Sequence, residues 1–204
     1  MRIITHCLVV IGLGIGLCGC GPQRQPAPPQ TTYLLKIEPD AQTALPTVCF
    51  RVRPVSVRTP FSGTGLVYRT GETAYERDFY NQFLVPADQQ ISDALAEWFA
   101  AILCSEETPS DSKRRWTLEP HLEALYGDFR DSASPSAYAR LRFVISDYDR
   151  SCRCSRILLN EHFEAAADLP RNPSAEEVVN AMSRAVSNTL DQFHAALKEL
   201  SLPK

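Results

Sequence analysis

Apolar residues recur along the chain with two different periods, and each period predicts one type of element. Over residues 86–103 they recur every three or four positions, which predicts an amphipathic helix with Pro86 in its first turn. The same period returns after Ser174 and continues to Pro203. Ser174 and Glu177 have the spacing of a capping box, so the second helix is expected to begin there.

Alternation of apolar and polar residues predicts strands in the remaining segments. Residues 33–37 are typical of a short first strand, and residues 47–57 alternate over a strand that bends at Pro54. Residues 66–69 and 74–80 flank a turn sequence and indicate a hairpin. Three more strands follow. A loop over residues 147–155 joins the last two of them. The predicted inward residues of the three strands are Trp116, Leu118, Leu122, Ala124 and Tyr126, then Ala139, Leu141, Phe143 and Ile145, then Ile157, Leu159, Phe163 and Ala165.

The order of these elements predicts the fold class. Strands, a helix, consecutive strands and a final helix are typical of an α+β protein. We expect a two-layer sandwich, with a mostly antiparallel sheet and two main helices on one face.

The first residues have the pattern of a secretory signal. Arg2 is the only Lys, Arg, Asp or Glu before position 20, and residues 7–17 form an apolar stretch. A stretch of about 11 residues suits a signal peptide, whereas a membrane-spanning helix needs roughly 20. The sequence Leu17-Cys18-Gly19-Cys20, which begins at the last residue of this stretch, resembles the bacterial lipobox. This resemblance implies that residues 1–19 are removed and that Cys20 carries the lipid. The alternative is an ordinary secreted protein with a plain thiol at Cys20.

The signal sets the expected domain organisation. Residues 20–32 contain the lipidated Cys20 and a linker rich in Pro and Gln, and residues 33–204 form one periplasmic domain of about 170 residues. By resemblance to enteric lipoproteins, Gly21 permits export to the outer membrane. Two or three acyl chains would make the anchor effectively permanent.

The charge balance bears on possible partners. Removal of Arg2 leaves 20 basic and 24 acidic residues, so the formal net charge changes from −3 to −4. An acidic balance without a long basic run argues against a nucleic-acid partner.

Seven cysteines occur in the chain, and four remain after loss of the signal and lipidation: Cys49, Cys104, Cys152 and Cys154. An oxidising periplasm favours disulfide pairing. We predict a disulfide between Cys49 and Cys104, and we expect Cys152 and Cys154 to stay unpaired because a bridge across one residue would be strained. The alternative is a soft-metal site formed by Cys152, Cys154 and His162.

The residues that could carry chemistry are scattered. No nucleophile with its base, metal-ligand set or phosphate-binding loop is recognisable, so we predict a non-enzymatic protein without catalytic residues, metal or cofactor. His121, His162 and His194 are each isolated and are interpreted as solvated. Glu161 shares the inward parity of its strand. It is interpreted as a sheet-end residue that reaches water, with a catalytic carboxylate as the alternative.

Nearly the whole mature chain resembles a known family. Pro60 and Phe61, the sequence LVYRTG at residues 66–71 and the sequence YERDFYNQFLVP at residues 75–86 are similar to bacterial ABC-type transport auxiliary lipoproteins. This family includes the lipoprotein C component of the paraquat-inducible intermembrane transport operon. The chain departs from many members at Gln82 and Phe83, where they carry Arg and Trp.

The resemblance implies a role as well as a fold. Such proteins are non-enzymatic, lipid-anchored partners of an ABC transporter and a mammalian-cell-entry (MCE) domain protein that moves phospholipid across the envelope. Two alternatives stay open: a lipoprotein of lipopolysaccharide assembly, and a periplasmic hydrolase in which Asp147, Glu161 and His162 converge.

The aromatic density around residues 75–83 suggests where a partner could bind. We predict that Tyr75, Phe79, Tyr80 and Phe83 form a docking or self-association surface together with the start of the following helix. The alternative is that these four side chains fill the core.

Overall fold

A computed structural model describes residues 28–38, 50–99, 114–149 and 152–200. In this part of the chain, eight strands and two α-helices form one α+β sandwich, as the sequence predicts. The strands are β1 (Thr31–Tyr33), β2 (Phe50–Val52), β3 (Ser56–Val57), β4 (Gly65–Arg69), β5 (Tyr75–Phe83), β6 (Arg114–Asp128), β7 (Ser136–Asp149) and β8 (Cys154–Asp168). The helices are α1 (Ala87–Phe99) and α2 (Ala175–Glu199), and a 3-10 turn covers Thr59–Phe61.

The sheet has the order β1-β5-β4-β6-β7-β8. The long strands β6, β7 and β8 form an antiparallel meander, and β4 and β5 form the antiparallel hairpin that the sequence predicts. Parallel pairs join β1 to β5 and β4 to β6, and the short β2 and β3 also lie parallel to β6. The sheet is therefore mixed but mostly antiparallel.

The predicted bend at Pro54 separates β2 from β3 within residues 50–57, the described part of the strand predicted over residues 47–57. The Arg53 amide still donates to the Leu118 carbonyl at 2.9 Å. The Val55 amide instead donates to the Ser92 hydroxyl of α1, also at 2.9 Å. Proline has no amide hydrogen, so pairing with β6 is interrupted at this position.

The second helix begins where the sequence indicates, and the first begins one residue later than predicted, at Ala87. The Pro86 carbonyl accepts a hydrogen bond from the Gln90 amide at 3.2 Å, so Pro86 directly precedes α1. At the start of α2, the Ser174 hydroxyl accepts from the Glu177 amide at 3.2 Å, and the Glu177 carboxylate accepts from the Ser174 amide at 2.7 Å. This is the predicted capping box. Residues 100–103 of the first predicted helix lie outside the described residues.

A single large core joins the helices to one face of the sheet. At its centre, the rings of Phe143 on β7 and Phe193 on α2 stack with centroids 3.9 Å apart. Phe99 of α1 and Phe163 of β8 lie against the same Phe193 ring, at 6.4 and 5.8 Å. The opposite face, which we call the open face, carries a small separate cluster built on Val67, Ala124 and Tyr126.

Two β-bulges overturn part of the predicted side-chain alternation. The register of β6 shifts between Leu122 and Ala124, so Leu125 enters the large core, whereas Ala124 and Tyr126 lie on the open face. The second register shift is in β8, opposite Ile145 and Ser146 of β7. It turns Ile157 outward, and the Ile157 side chain is 62% exposed. A bulge adds one residue to one strand, which reverses the parity of the residues beyond it.

The predicted first strand over residues 33–37 is also misplaced. Only Tyr33 belongs to β1, and the chain beyond it lies along the two helices. The Leu35 amide donates to the Gln90 side chain at 2.7 Å, and the amides of Lys36 and Glu38 donate to serine hydroxyls of α2, both at 3.0 Å. Helix side chains take the place of a neighbouring strand for this segment.

The prediction that Cys152 and Cys154 stay unpaired is wrong, since the structure joins them in a disulfide. Arg153 between them has a φ of 53°, in the left-handed region, which turns the chain back on itself. The two Cα atoms therefore lie 5.2 Å apart, within the range of a disulfide. The predicted pair Cys49 and Cys104 lies outside the described residues.

Candidate functional site

A wide bulge in β5 shapes the most exposed apolar surface of the described chain. Gly65 of β4 is paired with Gln82, and Val67 is paired with Arg77. Residues 78–81 of β5 thus stand opposite the single residue Leu66. The additional residues cannot pair with β4, so they form a turn of their own.

The Asp78 carboxylate holds this turn. It accepts hydrogen bonds from the amides of Tyr80 at 2.8 Å and Asn81 at 3.0 Å, and from the Asn81 side-chain amide at 2.9 Å. The Tyr68 hydroxyl adds a fourth donor at 3.2 Å. An aspartate that bonds backbone amides just after itself is typical of an Asx turn.

The electrostatics agree with this network. Partial burial of Asp78 acts to raise its pKa, but the hydrogen bonds from Asn81 and Tyr80 outweigh burial, and the pKa is lowered below its usual value. The pKa of the Tyr68 hydroxyl is raised, first by burial and then by the neighbouring Asp78. Asp78 therefore stays ionised and Tyr68 stays protonated, as their hydrogen bond requires.

The bulge separates the four aromatic residues that the sequence groups together. Phe79 is 71% exposed and Tyr80 is 46% exposed, whereas Phe83 is only 5% exposed and belongs to the core. The prediction that Phe83 belongs to a docking surface is therefore wrong. It follows the bulge, where regular pairing resumes and its side chain points towards the helices.

Two exposed leucines also lie at the same edge of the sheet, just beyond the ends of β1 and β5. Tyr33 of β1 is paired with Phe83, and the next residues, Leu34 and Leu84, are 55% and 61% exposed. The Leu84 amide donates to the Tyr33 carbonyl at 2.8 Å, which keeps the two chain segments side by side. We call the set of Leu34, Phe79, Tyr80 and Leu84 the edge patch.

Tyr75, the remaining aromatic residue of the predicted surface, lies on the open face in another cluster. Its ring packs edge-on against Tyr126 at 5.7 Å and Phe61 at 6.3 Å. The Arg69 guanidinium lies over the rings of Tyr75 and Tyr126, at 5.6 and 5.9 Å. These contacts hold Tyr75 in place while its ring stays partly exposed.

A charged cluster continues across the open face. Glu123, the additional residue of the β6 bulge, lies 2.9 Å from His162 Nδ1, 3.3 Å from Arg140 Nε and 3.5 Å from Arg142 Nε. The Glu123 side chain is mostly buried among these three groups. Glu123 lies on the open face because it follows the core residue Leu122, and the bulge places Ala124 on the same face.

The residues of the hydrolase alternative do not converge. His162 is paired with Arg142, whose side chain lies on the open face, whereas Glu161 is paired with the core residue Phe143. Asp147 is four residues farther along β7, about 13 Å from Phe143 at the usual rise of a strand. Glu161 is exposed, in agreement with its interpretation as a residue that reaches water.

His194 and His121 both contact other side chains of the domain. His194 is buried, and its ring lies 5.4 Å from that of Trp98, so the prediction of a solvated His194 is wrong. It packs where α1 and α2 meet, a contact that helical period alone does not specify. His121 Nδ1 lies 2.5 Å from the Ser56 hydroxyl. Burial, followed by the nearby Arg142, lowers the His121 pKa.

The alternative of a soft-metal site is wrong, because Cys152 and Cys154 form a disulfide and have no free thiol to bind a metal ion. Within residues 28–38, 50–99, 114–149 and 152–200, no group of three His, Cys, Asp or Glu side chains could hold a metal ion. A cleft of about 780 Å³ does lie between α2 and the chain at Lys36 and Glu38. Its other lining residues include Asp168, Arg184 and Asp191, so its walls are polar and carry both signs of charge.

Neither helix of the described chain is both long enough and apolar enough to cross a membrane.

Comparisons with known proteins identify similar folds. No family model matches the chain, and no curated protein is significantly similar to it. Among solved structures, the chain is similar to XCC0632 from Xanthomonas campestris, described under the family model DUF330. The TM-score is 0.65 at 14% identity, over 83% of this chain and 97% of that one.

Two further structures have the same architecture. An uncharacterized protein aligns with a TM-score of 0.58 at 17% identity, over 85% of this chain and 99% of its own. The hypothetical protein CT253 from Chlamydia trachomatis aligns with a TM-score of 0.50 at 12% identity, over 76% and 97%. At these identities the likeness shows that the chain shares the fold of these proteins.

Proposed function

We propose that this chain is a non-enzymatic, lipid-anchored accessory protein of an ABC-type, MCE-linked lipid transport system, on the periplasmic side of the bacterial envelope. Cys20 carries the lipid, and residues 33–204 form the working domain. The outer membrane is the proposed site of the anchor, on account of Gly21.

The observation that carries the proposal is a lipobox-like sequence placed ahead of a domain with the fold of a DUF330 protein. The sequence resemblance at residues 60–86 points to auxiliary lipoproteins with a lipobox of this kind. The described surface also suits binding: the open face carries ring and charge clusters, whereas Asp147, Glu161 and His162 lie apart.

The anchor is tested by mass spectrometry of the protein from its native host. We expect an amino-terminal Cys20 that carries diacylglyceryl and acyl groups, and we expect the Cys20→Ala variant to leave the membrane fraction. An unmodified thiol at position 20, or a retained leader, would contradict the anchor and the role that depends on it.

The transport role is tested by affinity capture of the full-length protein from detergent-solubilised cells. We expect the MCE-domain protein and the ABC transporter subunits of the same cell to co-purify with it. The open face is the expected contact, because the helices leave it uncovered and Tyr75 is held there at partial exposure.

A Tyr75→Ala variant should reduce this capture by roughly tenfold if the ring anchors the interface. The Ile157→Ala variant is the matched control for the position on this face, since Ile157 is another exposed apolar residue of the open face but lies at the opposite edge of the sheet, away from the Tyr75 rings. If the wild-type protein captures neither the MCE-domain protein nor the transporter, the transport role is wrong.

A further inference from the structure

The edge patch is a rigid apolar surface. Phe79 and Tyr80 belong to a turn whose shape is set by the four hydrogen bonds to Asp78. Leu34 and Leu84 directly follow β1 and β5, which are paired at Tyr33 and Phe83. Side chains that are exposed and also fixed lose little conformational freedom on binding, which favours a surface that binds an apolar environment.

The amino-terminal segment enters the domain beside this patch. The Gln30 side chain donates to the Phe79 carbonyl at 3.2 Å, just before β1 begins at Thr31. Ten residues lead from Cys20 to Gln30. Such a segment spans at most about 35 Å, so a lipid-bearing Cys20 keeps the edge patch within reach of the membrane.

We propose that the edge patch inserts into the interfacial layer of the phospholipid membrane that holds the anchor, so that the domain lies against the bilayer. This inference rests on the proposed lipid anchor. The chemistry of the patch suits the site: Leu34, Phe79 and Leu84 supply hydrocarbon. Tyr80 supplies an apolar ring with a hydroxyl for the headgroup region.

The charges beside the patch are internally satisfied. The Asp78 carboxylate faces its four donors, and the Arg77 guanidinium donates to the carbonyls of Ser62 and Pro60, both at 2.8 Å. Lys36 and Glu38 are paired at 3.2 Å. The patch can therefore enter a bilayer interface without separating one of these ions from its partner.

The size of the patch also favours a membrane over a second protein. A stable protein interface buries at least about 1,000 Å², more than these four side chains provide. A tethered domain needs much less contact, because its anchor keeps the lipid surface at a high effective concentration. A weak apolar contact is then sufficient to hold the domain down.

The test places a fluorescent side chain in the patch. The mature lipidated protein carrying Phe79→Trp is reconstituted into vesicles of phosphatidylethanolamine and phosphatidylglycerol, with or without brominated acyl chains. Ile157→Trp is the matched control, since Ile157 is 62% exposed and lies on β8, at the opposite edge of the sheet. Wild-type emission from Trp98 and Trp116 is subtracted, and circular dichroism verifies the fold of each variant.

We expect brominated chains to reduce the emission of the residue-79 tryptophan by roughly twofold and to leave the residue-157 tryptophan unchanged. Absence of quenching in anchored protein would overturn the membrane contact but not the anchor. A blue shift without quenching that grows with protein density would also overturn it, and would identify a second copy of the chain as the occupant. An absent anchor is recognised separately, by the mass of Cys20.

Discussion

Asp78 is the residue that determines the shape of the edge patch, because its carboxylate accepts hydrogen bonds from Tyr68, Tyr80 and Asn81. We predict that Asp78→Ala lowers the free energy of unfolding by about 1–3 kcal/mol, since several donors lose their acceptor. Urea denaturation measures the loss.

Asp131→Ala is the control for this prediction. Asp131 is exposed, and its side chain accepts one backbone hydrogen bond, from the Ala133 amide at 2.9 Å. Its loss should change the free energy of unfolding by less than about 1 kcal/mol. Equal effects of the two substitutions would contradict the special role of Asp78.

His121 makes stability depend on pH. In the folded protein, burial and the nearby Arg142 lower the pKa of His121 below its ordinary value of 6.5. The opposing effect of Glu119 and Glu123 is weaker. The unfolded chain therefore binds a proton at His121 before the folded chain does. The stability that neutral His121 contributes above about pH 6.5 is therefore lost as the pH falls towards the lowered pKa of the folded protein.

We predict that His121→Gln makes the free energy of unfolding less dependent on pH below about 6.5, since glutamine does not titrate. Urea midpoints at a series of pH values measure this dependence. The wild-type and variant proteins should differ in slope there, and parallel curves over this range would refute the assignment to His121.

At the scale of the element, two bulges decide which residues face the core. Leu125 of β6 is 3% exposed, and Ile157 of β8 is 62% exposed, the reverse of what strict alternation from Leu122 and Leu159 predicts. Each bulge changes the facing of a whole strand segment, and the first one places Ala124 beside Glu123 on the open face.

We predict that Leu125→Ala lowers the free energy of unfolding by about 2–4 kcal/mol, because it leaves a cavity in the core. Ile157→Ala should lower it by less than about 1 kcal/mol, because the side chain already lies in solvent. The two losses are compared by chemical denaturation. Unbroken alternation would reverse their order.

At the scale of the whole molecule, one core connects the sheet with both helices. The Phe193 ring of α2 lies 3.9 Å from Phe143 of β7 and 6.4 Å from both Trp98 and Phe99 of α1. With one shared core, we expect the domain to unfold as a single cooperative unit.

We predict that Phe193→Ala lowers the free energy of unfolding by about 3–5 kcal/mol. Far-ultraviolet circular dichroism, which follows the helices and sheet, and the fluorescence of Trp98 and Trp116 should still report one midpoint. Separate midpoints for the two probes would show that the domain unfolds in parts.

The type of each element, and several of its limits, follow from the sequence by itself. Period-two and helical patterns predict the meander, the hairpin and the two helices, and Ser174 and Pro54 indicate a helix start and a strand break. These features depend on backbone properties of a few neighbouring residues, such as the missing amide of proline and the short reach of a serine hydroxyl. The α+β class follows from their order.

Only the tertiary structure decided which residues are exposed and which are buried together. Phe79 and Phe83 are the same amino acid on the same strand, yet one lies in solvent and the other in the core. His194 is buried because two helices meet beside it, and Cys152 and Cys154 pair because Arg153 adopts a left-handed turn. One additional residue in a strand reverses the facing of those beyond it, and its position depends on the partner strand, which is often distant in sequence.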